Sequence, residues 1–68
     1  MSFVIVFDMP RSEQTERRRL HRELVRGGAM MIQDSFWKSD SLKFLIELGM
    51  KIRKLGGSAT ILEEKFLF

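Results

Sequence analysis

The sequence predicts a small α+β sandwich, and three observations carry that expectation. The first is a run of apolar, mostly β-branched or aromatic residues over positions 3–7 that ends in Asp8 and is stopped by Pro10. The second is a pair of amphipathic segments, each closed by two glycines, Gly27-Gly28 and Gly56-Gly57. The third is a pair of extended segments, one following each glycine pair.

The elements follow in order. Residues 3–8 read as a buried strand, with Phe3, Ile5 and Phe7 on one face and Val4 and Val6 on the other. Asp8 shares the side of the valines. Ser12 is placed to cap a helix, with Glu13 and Glu16 favourable near its first turn. That helix is expected to reach Arg26. Residues 29–38 form an extended segment with a tight turn or bulge at Asp34-Ser35. Ser39, Asp40 and Ser41 form a capping cluster, and a second helix runs to about Leu55. Residues 58–62 make a strand, and residues 65–68 a short final one. A β-α-β-β-α-β order on so short a chain is that of a ferredoxin-like sandwich, in one domain.

At 68 residues the core is small, worth on the order of 3–5 kcal/mol, and domains of this size usually need a staple. With no cysteine, disulfides and thiolate metal sites are excluded, and one histidine makes a poor zinc site. Self-association is the remaining staple, so a homodimer is expected. No apolar run is long enough to span a bilayer and no leader pattern is visible, which points to a cytoplasmic protein without a membrane partner. The net charge is +3, spread over both halves: residues 1–34 carry six basic and five acidic side chains, residues 35–68 six and four. A basic surface must therefore be assembled by folding, and nucleic acid is a compatible partner.

On a wheel of about 100° per residue, Arg18, Arg19, Arg22 and Arg26 fall within one arc of the first helix. That arc is either a solvated face paired with Glu16 and Glu23, or a row of phosphate contacts. Leu20, Leu24 and Val25 fill the opposite arc, with Arg17 and His21 set among them. Arg17 there needs a partner, Asp8 or Asp34, or else a phosphate beside Asp8 that its planar fork would fit. His21 reads as a half-buried, hydrogen-bonded residue or as a general base. In the second helix Leu42, Leu45, Ile46, Gly49 and Ile52 form a stripe facing the sheet, which Phe44, Leu48 and Leu55 widen beyond one face. Phe36 and Trp37 point to opposite faces. Trp37 is either a packing residue or a platform for an unpaired base.

If helices cover one sheet face, a second copy packed on the other would bring two Asp8 side chains toward a common axis. Two carboxylates can hold a hydrated Mg2+ or Mn2+ that accepts phosphate oxygens and activates water for phosphodiester hydrolysis.

These residues resemble the CRISPR-associated protein 2 family. The matching pieces are Phe7-Asp8, Arg17-Arg18-Arg19, Gly28 and Ile32-Gln33-Asp34-Ser35-Phe36-Trp37. The resemblance is strongest over residues 3–37; Met30 and Met31 stand where members often carry a basic residue. It implies a ferredoxin-like homodimer with RNA or DNA as partner. Asp8 maps to the proposed metal ligand, Arg17 and Arg19 to the arginine cluster, and Trp37 to the aromatic position. It further implies either a metal-dependent endonuclease, with Asp8 and Arg17 catalytic, or a non-catalytic dimeric bridge that binds DNA and a CRISPR integrase subunit during spacer acquisition. The segment Phe66-Leu67-Phe68 would either cross to the partner's sheet or pair within its own subunit. A similar strand and Gln-x-Ser-x-Trp element occurs in the C-terminal fold of phenylacetate-type transcriptional repressors, which keeps a regulatory or toxin-like domain open.

Overall fold

The computed structural model describes residues 2–9 and 14–64. The expected Ser12 cap with Glu13, and the final strand over 65–68, lie outside the described residues. The order is β1 (Ser2–Asp8), α1 (Gln14–Arg26), β2 (Met30–Gln33), β3 (Phe36–Ser39), α2 (Leu42–Lys54) and β4 (Ser58–Glu64). All strand pairs are antiparallel, in the spatial order β2-β3-β1-β4. The architecture is α+β, four antiparallel strands with two helices, and is compatible with a ferredoxin-like fold.

Both helices end by the same device. Gly28 takes φ +80°, its N–H donates to the Val25 carbonyl at 3.1 Å, and the Ala29 N–H donates to the Leu24 carbonyl at 3.0 Å. In α2, Gly56 takes φ +86°, with Gly56 N–H to the Arg53 carbonyl at 3.1 Å and Gly57 N–H to the Ile52 carbonyl at 2.9 Å. These are paired 6→1 and 5→2 bonds around a left-handed residue, a conformation glycine adopts without strain. At the other end of α2 the Ser41 hydroxyl accepts from the Phe44 N–H at 3.2 Å.

The sequence between β2 and β3 turns at Asp34-Ser35 as expected, with a bulge between Met31 and Gln33. Trp37 ties that turn to the core: its Nε1–H donates to the Asp34 carbonyl at 2.9 Å. The turn is tied to β1 as well, since the Phe7 N–H donates to the Ser35 carbonyl at 3.0 Å.

Both helices lie on one side of the sheet. Their Leu20, Leu24, Leu45, Leu48 and Ile52 pack with Ile5, Phe7 and Trp37 from the sheet into a single core. The alternation in β1 is as expected: Ile5 and Phe7 are buried against the helices, and Val4, Val6 and Asp8 share the other face. Two readings of the helices are corrected. Val25 is 58% exposed, because α1 meets the core through Leu20 and Leu24 alone. In α2 the buried face is Leu45, Leu48, Gly49 and Ile52, while Leu42 and Ile46 are exposed. The helix is rotated toward α1, whose end packs so closely on Phe44 that a Cβ at Gly27 would overlap the Phe44 ring. Lys51 Nζ donates to Glu23 Oε1 at 2.8 Å across the two helices. That hydrogen bond, with the charge behind it, raises the Lys51 pKa above its ordinary value, so the ammonium keeps its charge at neutral pH and the contact holds there.

Gly57 is packed where β4 begins. A Cβ there would meet the Asp8 carbonyl oxygen, Ile52 Cγ2 at 2.8 Å and Met9 Sδ at 3.1 Å. A backbone oxygen and a core methyl have little room to give. Gly57→Ala is expected to cost about 2 kcal/mol of folding free energy, read as a lower urea midpoint at unchanged slope.

Candidate nucleic-acid interface

The sheet divides the candidate residues between two faces. Opposite partners on neighbouring strands share a face, so the register assigns the side away from the helices. Val4 stands opposite Lys38 and Leu62, Val6 opposite Phe36 and Thr60, Asp8 opposite Ser58, and Met30 opposite Lys38. This open face exposes Val6 (41%), Met30 (64%) and Leu62 (53%) beside half-buried Phe36. Asp8 is exposed at its edge, at the carboxyl end of β1.

One ion pair crosses the open face. Lys38 Nζ on β3 lies 3.1 Å from Glu64 Oε1 on β4, and β1 runs between those strands. The pair spans β1 near Val4, which is only 5% exposed although no helix covers it. The other Glu64 oxygen, Oε2, is buried and has no hydrogen-bond partner among the described residues. Nothing in the sequence reading anticipated this bridge. The signal was there in the alternation, which places positions 38 and 64 on the valine face at the two flanks of β1.

The helix side of the sheet, at the Asp8 end, holds a cleft of about 210 Å³ lined by Phe7, Arg17, Arg18, His21, Leu24, Asp34 and Trp37. Its basic wall is one turn of α1. Asp34 stands across it on the β2–β3 turn. Trp37 is 2% exposed and closes the floor, with the His21 ring edge-on to it at 5.1 Å between centroids and 84° between planes. Trp37 is thus a core residue, and a base could stack on it only by displacing His21; the stacking expectation gives way to packing.

Arg17 and Asp34 line one cleft, yet among the described residues Arg17 forms no ion pair with Asp34 or with Asp8. Arg17 and His21 are both exposed rather than set into the core. Arg17 and Asp8 occupy the same end of the sheet on opposite faces.

Arg18, Arg19, Arg22 and Arg26 are all exposed along α1. Of the two glutamates expected to neutralise them, Glu16 reaches Arg19 at 3.6 Å, and Glu23 turns to Lys51. Among the described residues the arginine row therefore has one weak carboxylate partner, and exposed pairs of this kind contribute little.

No group of three His, Asp or Glu side chains able to hold a metal ion occurs among the described residues. Within one chain Asp8 does not make a magnesium site. The donor set fits a hydrated divalent ion only if a second Asp8 is brought to it. No helix among the described residues is long and apolar enough to cross a membrane. No protein-family model matches this chain, and no curated protein is significantly similar to it.

The bridge over Val4 gives a test of the open face. Lys38→Met leaves the half of Glu64 that is now paired without its cation, and is expected to destabilise the fold by about 2 kcal/mol. Replacing both residues by apolar ones should restore most of that loss in equilibrium unfolding.

Proposed function

We propose that this chain is a nucleic-acid-binding protein that works as a homodimer, of the kind its resemblance to CRISPR-associated protein 2 implies. The observation that carries the reading is the arginine row on α1. Arg17, Arg18, Arg19, Arg22 and Arg26 are exposed on one helix of a 68-residue chain, and among described residues only Arg19 has a carboxylate partner. Guanidinium groups left in this state are suited to the oxygens of a phosphate backbone, RNA or DNA. The dimer is supported by the open sheet face, where Val6, Phe36, Met30 and Leu62 form an apolar surface across all four strands. In this role the protein is a cytoplasmic bridge that holds nucleic acid for a partner such as a CRISPR integrase subunit during spacer acquisition.

A second reading is Mg2+- or Mn2+-dependent phosphodiester hydrolysis. The exposed position of Asp8 on the open face favours it, because a face-to-face dimer buries that same face. Asp8 lies two residues, roughly 7 Å, beyond Val6 along β1. The two-fold axis must therefore pass beside Asp8 for two copies to share an ion. The ion would then lower the pKa of a bound water and neutralise charge on the phosphate. Arg17, on the helix side, would hold the strand rather than touch the phosphate under attack.

Sedimentation should give a dimer, and Val6→Asp, which puts a charge into the apolar surface, should give a folded monomer. Binding of a labelled oligonucleotide should weaken as salt rises, and Arg18→Ala with Arg22→Ala should lower the slope of log affinity against log salt by about two. Asp8→Ala abolishing cleavage while binding persists supports the enzyme; no cleavage by the wild type with any divalent ion supports the bridge. Tight binding confined to one DNA sequence would favour a regulatory domain. A wild-type monomer whose binding ignores salt would overturn the proposal.

A further inference from the structure

We propose that the cleft between α1 and the β2–β3 turn is a pH-dependent site for one phosphate group of the bound strand, with His21 as its third cation. This deepens the nucleic-acid reading and rests on it. Arg17, Arg18 and His21 follow one another at helical spacings of three and four, and all three side chains line the cleft. The floor is closed by Trp37, which is 2% exposed, so the cleft offers no free ring for a base. At about 210 Å³ it admits a phosphate with its water and excludes a base pair. The strand is therefore held here by its backbone, without regard to sequence.

Among the described residues, the groups facing His21 are few. Arg17 and Arg18 lie on its own helix, Asp34 on the turn opposite, and the remaining lining residues, Phe7, Leu24 and Trp37, do not titrate. With a neutral imidazole the two guanidinium groups and one carboxylate leave one net positive charge; an imidazolium makes it two. An anion entering the cleft therefore meets twice the net charge when His21 is protonated. His21 is the only histidine of the chain, the one side-chain type that serves as a charge switch near physiological pH. The edge-to-face contact with Trp37 suits an aromatic cation as well as a neutral ring, and it keeps the imidazole at the mouth of the cleft through the change.

The test is binding of a fluorescein-labelled single-stranded oligopyrimidine to the full chain at fixed salt, at about pH 5.5 and about pH 8. The wild type should bind roughly tenfold tighter at the lower pH, the worth of one charge-assisted contact. His21→Gln should bind as the wild type does at the higher pH and lose the response. Asp34→Asn should bind tighter at the higher pH and keep it. In the wild type, tripolyphosphate should also raise the pH midpoint at which the emission of Trp37, the only tryptophan, is quenched by the His21 imidazolium. Strong binding that ignores pH, or a pH response unchanged in His21→Gln, overturns this inference and leaves the nucleic-acid reading standing. No binding at either pH overturns both.

Discussion

The one-sidedness of the sheet is the constraint from which the rest follows. β1 is central and apolar on both faces, with Ile5 and Phe7 toward the helices and Val4 and Val6 away from them. The chain has two helices to spend on covering it, and both go to the same side. Short β-α-β crossovers with one preferred hand leave little choice. Among the described residues the opposite face is closed only over Val4, where the Lys38–Glu64 ion pair crosses the strand. Toward the Asp8 end it is unfinished.

The same sheet separates the chemistry. Asp8 and the arginine cleft stand at one end of the molecule but on opposite sides of a layer one strand thick. Asp8 and Arg17 thus belong to different surfaces, and a single strand of nucleic acid would have to pass around the sheet end to reach both. The bulge and turn at 31–36 decide this. They carry Asp34 to the helix side, while Phe36, one step before the buried Trp37, goes to the open side. That division favours positioning by arginine over direct catalysis by it.

Much of this was legible in the sequence, and the parts that were not share a cause. The alternation of Phe3 to Asp8 and the glycine pairs act within a few residues, where local geometry dominates, and they gave the strand faces and both helix ends. The rotation of α2 did not follow, because a wheel with Leu, Ile and Phe on most of its circumference has no unique buried side. The contact of Phe44 with the end of α1 decides it, and that contact is long-range. Arg17 was expected in the apolar arc, with a carboxylate or a phosphate as partner, for a similar reason. The wheel placed it between Leu24 and Val25, but near the start of α1 that stripe has already run past the edge of the core, into a cleft open to water. The Lys38–Glu64 bridge joins strands that meet only through β1, so the alternation could give the face of each residue but not their pairing.

Among the described residues two apolar surfaces stand uncovered, and they are not equivalent as dimer interfaces. The stripe of Leu42, Ile46 and Met50 on α2 is one residue wide and bordered by Lys43, Glu47 and Arg53. It resembles the scattered exposed apolar residues that many soluble surfaces carry. The open sheet face is broad, drawing on all four strands, and a sheet packed against a sheet interdigitates side chains as a protein core does. A chain with no disulfide and so thin a core gains most by burying the larger surface. Pairing on that face would complete the second side of β1, and it is the arrangement in which Asp8 would acquire an equal.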